Sequence, residues 1–504
     1  MPKFTRRHFV AGAATAAATQ IACEGDNQAQ SPAIAEELEL PIEQSGNGLN
    51  LIEICVDTWG THFLGCYGNE WIKTPNVDRL ASKSAVFEHC YPETLPTIPT
   101  RRVLYTGRRI FPTKQIAQPG DNVKISGWHQ LYAEDITFAE MLTAAGYTTA
   151  QISDLYHTFK PGKNFHRGFQ CWRWIRGQEA DRLESGPKSK IDMTKYTHAS
   201  REPSRGVHQY LMNRYGWKHE EDWLPAQLFQ DAMRWLDRNT DEKPFYLLVE
   251  SFAPHEYWDP HDDYYHLYMK SKYDGPKLIS SPGTTENLSD VEVEHVKALY
   301  SGYVTMVDHW IGRLLDKVES MGLLEKTLVV FTGDHGTLVG EQRQIHKGER
   351  RMRDQVNHVP LLVWDPRESH DGKRIGGFVQ HTDIVPSLLE LMGLKAPKRV
   401  TGESFVPLLT GAKSGGLRDH VITGWGEHAS IRTHEWNYLT RYTAGDNYAE
   451  QLYDLKKDPL ELNNVVSSNR SVTEAYRGKL DEYIESGRDI TKGSFHWDIS
   501  ASEG

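Results

Sequence analysis

Three apolar runs in this chain end on residues that carry chemistry. Leu51–Val56 stops at Asp57, Phe245–Glu250 runs into Pro254-His255, and Thr327–Phe331 runs into Asp334-His335. Continuous apolar runs of this length read as strands buried on both faces, the kind found in parallel sheets. Between and beyond them lie helical patterns at Pro75–Ser84, Phe138–Ala145, 292–322 and Thr382–Met392, and a further strand at Tyr147–Ile152. Strands alternating with helices predict an α/β fold, a mostly parallel central sheet with helices on both faces. Such sheets bind ligands beyond the carboxyl ends of their strands. Asp57, His255 and Asp334 should therefore share one edge.

Carboxylate and imidazole are the donors a cation needs if it is to activate an oxygen nucleophile. One Asp after a strand is usually a turn or cap residue. Two strand ends bearing such groups, Asp57 and Asp334-His335, favour a metal site. A helix is expected to start near Thr97, because Pro99 fits a first turn. A hydroxyl there sits at the positive end of the helix dipole, among free N–H groups that suit an anion. Arg101 follows one turn later, with a fork that suits ester oxygens. His381, ahead of Asp383, reads as a helix cap, with a second-metal ligand as the rarer role. The Trp- and Arg-rich segment 164–176 fits either a substrate pocket or core packing.

Charge and targeting narrow the partners. The net charge is −11, and removal of Lys3, Arg6 and Arg7 would make it more negative. Non-specific nucleic-acid binding needs the opposite sign, so nucleic acid is not an expected partner. Thr5-Arg6-Arg7-His8-Phe9 followed by the alanine run Ala11–Ala18 reads as a twin-arginine export signal, residues 1–22, on a chain bound for the periplasm. Cys23 offers a lipoprotein site and the one expected route to a membrane; cleavage near Ala33–Ala35 is the alternative. Residues 23–48 read as a flexible linker. Cys55, Cys66, Cys90 and Cys171 fit no zinc spacing.

The stretch Thr97-Ile98-Pro99-Thr100-Arg101-Arg102-Val103-Leu104-Tyr105-Thr106-Gly107-Arg108 resembles the sulfatase signature C-x-P-S-R-x-x-L-x-T-G-R. Leu64–Gly68 with Thr74–Leu80, Asp334-His335-Gly336 with His346-Lys347-Gly348, and Gln451–Pro459 through Asn464 are similar to further blocks of that family. The resemblance spans about residues 49 to 490. It implies an alkaline phosphatase-like α/β fold, with a mostly parallel or mixed central sheet and a small C-terminal α+β subdomain. The implied organisation is a catalytic domain over 49–400, the subdomain over 401–490 and a tail at 491–504. It also implies metal ligation by Asp57, Thr97, Asp334 and His335, and catalytic roles for Thr97, Arg101, His255 (as general acid) and Lys347. His157 and His346 become candidate substrate-binding residues.

Three departures from the family pattern fall in one place. Threonine stands where the family has the cysteine or serine that becomes formylglycine, so no formylglycine is expected. Thr58 replaces a second carboxylate, which favours zinc or manganese over calcium and leaves calcium open. A Gly-Lys-Trp-His segment that holds sulfate is missing, with His157 as its nearest substitute. Formylglycine releases sulfate by collapse of a hemiacetal, a route closed to a sulfated threonine. A phosphorylated threonine can be hydrolysed by activated water. The expected activity is therefore hydrolysis of phosphate or phosphonate esters, on a small-molecule or glycan substrate, through a Thr97 covalent intermediate. A sulfatase working without formylglycine, and an inactive carbohydrate-binding relative, are the alternatives.

Overall fold

The computed structural model describes residues 46–113, 123–196, 205–239, 244–443 and 449–487. The expected export signal, Cys23, most of the linker and the tail lie outside these residues. The described strands are β1 (Asn50–Val56), β2 (Ala85–Tyr91), β3 (Thr94–Leu95), β4 (Thr148–Ser153), β5 (Cys171–Trp174), β6 (Phe245–Ser251) and β7 (Thr327–Gly333). They continue with β8 (Leu361–Trp364), β9 (Arg374–Gln380), β10 (Val421–Trp425), β11 (His428–Arg432), β12 (Trp436–Arg441) and β13 (Gln451–Asp454).

The larger sheet has eight strands in the order β5-β4-β6-β1-β7-β8-β2-β9. Every neighbouring pair is parallel except those that β8 makes with β7 and β2. The sheet is thus mixed by one reversed strand, as the α/β reading allows. Side chains of β1 alternate between two buried layers, Ile52, Ile54 and Val56 on one side and Leu51 and Cys55 on the other. The long helix Asp290–Ser320 and the helix Leu224–Asn239 cover the first face. Helices Thr97–Thr106, Phe138–Ala144 and Ile384–Leu391 cover the second. Thr137 starts the helix at Phe138 with a capping box to Glu140.

Sequence patterns located these elements to within about two residues at most ends; the pattern beginning at Thr382 is a short helical turn, His381–Asp383, followed by Ile384–Leu391. The second sheet runs β13-β12-β11-β10-β3. The helix Arg470–Gly487 packs on it through Leu480 and Ile484. Its outermost strand matters most for the site. β3 lies two residues before Thr97 and pairs in parallel with β10. The small sheet therefore holds the segment that enters the Thr97 helix. Glu93, just ahead of β3, accepts from the N–H groups of Ile110 (3.2 Å) and Phe111 (3.0 Å), tying that segment to the helix exit.

Candidate active site

β6, β1 and β7 are adjacent and parallel, so their carboxyl ends bring Glu250, Asp57 and Asp334 together. All three carboxylates are fully buried, and so is Arg101, which reaches them from the helix Thr97–Thr106. The Arg101 Nε donates to Glu250 Oε1 at 2.6 Å. Its terminal nitrogens lie 2.5 Å from Asp334 Oδ2 and 3.5 Å from Asp57 Oδ2. Glu250 is braced in turn by Ser153, whose hydroxyl donates to Oε2 at 2.8 Å. One guanidinium against three carboxylates leaves a buried excess of negative charge, which is costly without a further cation. Its effect shows in the titration. Burial, then the charge of Asp334, pushes the Asp57 carboxyl well above its ordinary range.

Asp57, Asp334 and His335 each offer one ligand atom, all within 4.8 Å of one another. Among the described residues, Asp57 Oδ2 and His335 Nε2 are buried without a hydrogen bond, and Asp334 Oδ2 is ion-paired with Arg101. His335 Nδ1 faces the Gly336 carbonyl at 3.0 Å, which assigns the proton to Nδ1 and leaves Nε2 as a free acceptor. Orphaned acceptors that converge, with charge to spare, fit a divalent cation. His381 is fully buried with its ring against the Gly333 backbone, and it stands outside this cluster.

Thr58 fills the place of the expected second carboxylate, and the structure shows what it does instead. Its φ is +62°, a left-handed conformation that a β-branched residue rarely adopts. Four contacts hold it there. The backbone N–H donates to Asp334 Oδ1 (2.9 Å), and the carbonyl accepts from the Tyr300 hydroxyl (2.7 Å). The Thr58 hydroxyl donates to Asp57 Oδ1 (2.7 Å) and accepts from Lys347 Nζ (3.1 Å). Lys347 is thereby coupled to Asp57, a candidate metal ligand, through a neutral hydroxyl.

A cavity of about 490 Å³ opens above this floor and is lined by Thr97, His157, His255, His346 and Lys347 among others. All the remaining expected site residues therefore meet in one space. Thr97 is the first residue of its helix and 2% exposed. Arg101, one turn on, spends its fork on carboxylates in this structure. Glu256, which the sequence reading passed over, faces His346, His255 and Lys347 in the wall. Its carboxylate lies 2.6 Å from His346 Nδ1, 3.2 Å from His255 Nδ1 and 3.7 Å from Lys347 Nζ. Burial alone would raise the Glu256 pKa, but the charges of His255, Lys347 and His346 hold it well below the carboxylate range. Burial lowers His255 to about 4 against the pull of Glu256, so the imidazole is neutral near pH 7. His157 pairs with Glu179 at 2.9 Å. Lys160 also lines the cavity, so a lysine serves this wall from a position the motif comparison did not indicate. Adjacency to His255 was the available signal for Glu256, and an acid closing an apolar run was the signal for Glu250.

Residues 50–394 match the sulfatase family profile. The chain belongs to the sulfatase family. Residues 340–486 match a second profile, the C-terminal region of N-sulphoglucosamine sulphohydrolase. Among its sulfatase relatives, the arylsulfatase of Clostridium perfringens is 26% identical over 483 residues, covering 86% of this chain and 92% of its own. The N-acetylglucosamine-6-O-sulfatase of Bacteroides thetaiotaomicron is 23% identical over 498 residues, with 82% of each chain covered. A phosphonate monoester hydrolase from Agrobacterium radiobacter shares the fold with a TM-score of 0.67 at 22% identity, covering 87% of this chain and 96% of its own. The protein is accordingly an ester hydrolase of the sulfatase family, built on the alkaline phosphatase-like fold.

Proposed function

We propose that this sulfatase-family hydrolase cleaves phosphate or phosphonate esters through a covalent bond to Thr97. The observation that carries this reading is the placement of a threonine, not a formylglycine precursor, at the buried helix start that lines the cavity. Asp57, Asp334 and His335 would hold the divalent cation, with Thr97 as a further ligand. Three oxygens and one nitrogen suit zinc or manganese better than calcium. When bound, that cation supplies charge neutralisation and lowers the pKa of a neighbouring hydroxyl.

The chain's own groups do the rest. Thr97 gives up its hydroxyl proton to solvent and its Oγ1 attacks the substrate phosphorus, forming a P–O bond as the bond to the leaving oxygen breaks. His255 donates the proton that the leaving oxygen takes up; an anionic ester beside the imidazole raises its pKa and so couples protonation to binding. Lys347 offsets charge that builds on the ester oxygens. Arg101 keeps the strand-end carboxylates in place below the helix. Water then attacks phosphorus and returns a proton to His255, the Thr97 Oγ1–P bond breaks, Oγ1 takes a proton from solvent, and the phosphate or phosphonate leaves. Arg6-Arg7 and the alanine run support export by the twin-arginine route to the periplasm.

A second reading, sulfate ester hydrolysis, is favoured by the sulfatase names of the relatives above. A panel of aryl phosphates, aryl phosphonates and aryl sulfates sharing one leaving group, assayed with added zinc, manganese or calcium, separates the two. The phosphorus esters should give the higher kcat/KM, and Thr97→Ala should remove turnover of all three. Turnover of the sulfates alone contradicts the proposal.

A further inference from the structure

The carboxyl end of β4 carries two neighbouring polar side chains with different destinations. Ser153 braces Glu250 in the floor, and the Asp154 N–H continues the β4–β6 ladder by donating to the Glu250 carbonyl at 3.3 Å. The Asp154 side chain is fully buried and turns to the wall instead. Its Oδ1 accepts from the Phe252 N–H at 2.6 Å, and its Oδ2 accepts from Gln178 Nε2 at 2.7 Å. Phe252 lies three residues before His255, and Gln178 is next to Glu179.

These contacts close a ring beside the general acid. The Phe252 ring stacks on His255, with centres 4.2 Å apart at 25°, and meets the His157 ring at 6.0 Å and 65°. His157 pairs with Glu179, Glu179 follows Gln178, and Gln178 returns to Asp154. Glu179 has a φ of +46°, a backbone that a glutamate keeps only where its surroundings hold it.

Both imidazoles stand outside the strands, yet a general acid must lie within hydrogen-bond reach of the leaving oxygen. A misplacement of about 1 Å can cost about a hundredfold in rate. Support from a regular element meets that tolerance better than contacts within a loop. Asp154 brings the order of the sheet into the wall. A carboxylate suits the task because it accepts on both oxygens, one for each loop. Buried without those two donors, it would be costly.

We propose that Asp154 is a positioning residue that sets where the His255 imidazole stands relative to the His157–Glu179 pair. It acts through Phe252 and Gln178. The inference rests on the general-acid role of His255 in the proposed reaction.

The test is an NMR measurement on the full chain with histidine Cε1 labelled with carbon-13. The His255 and His157 signals are assigned by their loss in His255→Gln and His157→Gln. In Asp154→Ala the His255 Cε1–H signal should move downfield as shielding by the Phe252 ring is lost, and the His157 signal should move with it. Asp154→Asn keeps an acceptor for the Phe252 N–H and should restore most of the His255 shift. Unmoved signals in folded Asp154→Ala overturn the proposal. If that variant fails to fold, Gln178→Ala decides in its place, and an unmoved His157 signal there overturns the proposal.

Turnover is measured alongside on phosphorus and sulfur aryl esters of graded leaving-group acidity. Asp154→Ala should lower kcat about tenfold for the poorest leaving group, less for the best, and should add nothing to the loss in His255→Gln. A loss that is equal across the series, or that adds fully to that of His255→Gln, overturns the proposal. Turnover of the sulfates alone removes the phosphorus reading, and the same series on sulfates still decides Asp154. Moved signals without turnover of any ester remove the Thr97 reading alone.

Discussion

Asp57, Glu250 and Asp334 stand at the ends of three neighbouring strands and are fully buried, whereas His157, in a single helical turn, and Glu179 and His346, in loops, surround the cavity and stay partly in water. The floor is fixed by sheet register. A strand cannot shift by one residue without turning its whole apolar set outward, so these carboxylates have no freedom to separate. The wall is held by loop contacts that are weaker and partly screened. Chemistry common to a family belongs on the first kind of support. Substrate choice belongs on the second, where residues change without cost to the core.

The largest effect should follow from breaking the floor. Arg101→Ala leaves three buried carboxylates without their cation and is expected to lower unfolding free energy by about 3–5 kcal/mol, measured by urea denaturation. A loss below about 1 kcal/mol would mean the carboxylates are relieved in some other way, and the contrast between floor and wall would fail.

A smaller effect is expected in the wall. Glu256→Gln should cost about tenfold in kcat/KM, since the carboxylate orients His255 and its effect is only part of general-acid catalysis. The sign of its pH effect follows from the charges. Glu256 raises the His255 pKa against burial, so removing its charge lowers that pKa. The limb of the kcat/KM profile that disappears in His255→Gln should therefore move to lower pH in Glu256→Gln. An unmoved limb would detach Glu256 from His255.

The same contrast explains what could be read from the chain alone. Asp57 and Asp334-His335 were legible because unbroken apolar runs announce parallel strands and the residue after each run falls on the ligand edge. The Thr97 helix was legible from Pro99 and the motif around it. Glu250 escaped notice because an acid at a strand end has many ordinary roles, and only the arrival of Arg101 from a distant helix gives it one. Lys160 lies in sequence with no period, so nothing local says that it faces the cavity, and Glu256 offered only its adjacency to His255. Strand β8, short and reversed between β7 and β2, also escaped; four residues without alternation carry too little pattern to declare a direction. Thr58 was seen as a lost ligand, and its left-handed backbone and its bridge from Lys347 to Asp57 appear only in three dimensions.

The covalent step at Thr97 can be tested by rapid acid quench during turnover of an aryl phosphonate, followed by mass spectrometry of the peptide containing Thr97. The Thr97 mechanism predicts a phosphonyl adduct on Thr97 that forms with the burst of phenol and is absent from Thr97→Ala. Sustained turnover with no adduct, or with the adduct on another residue, would contradict it.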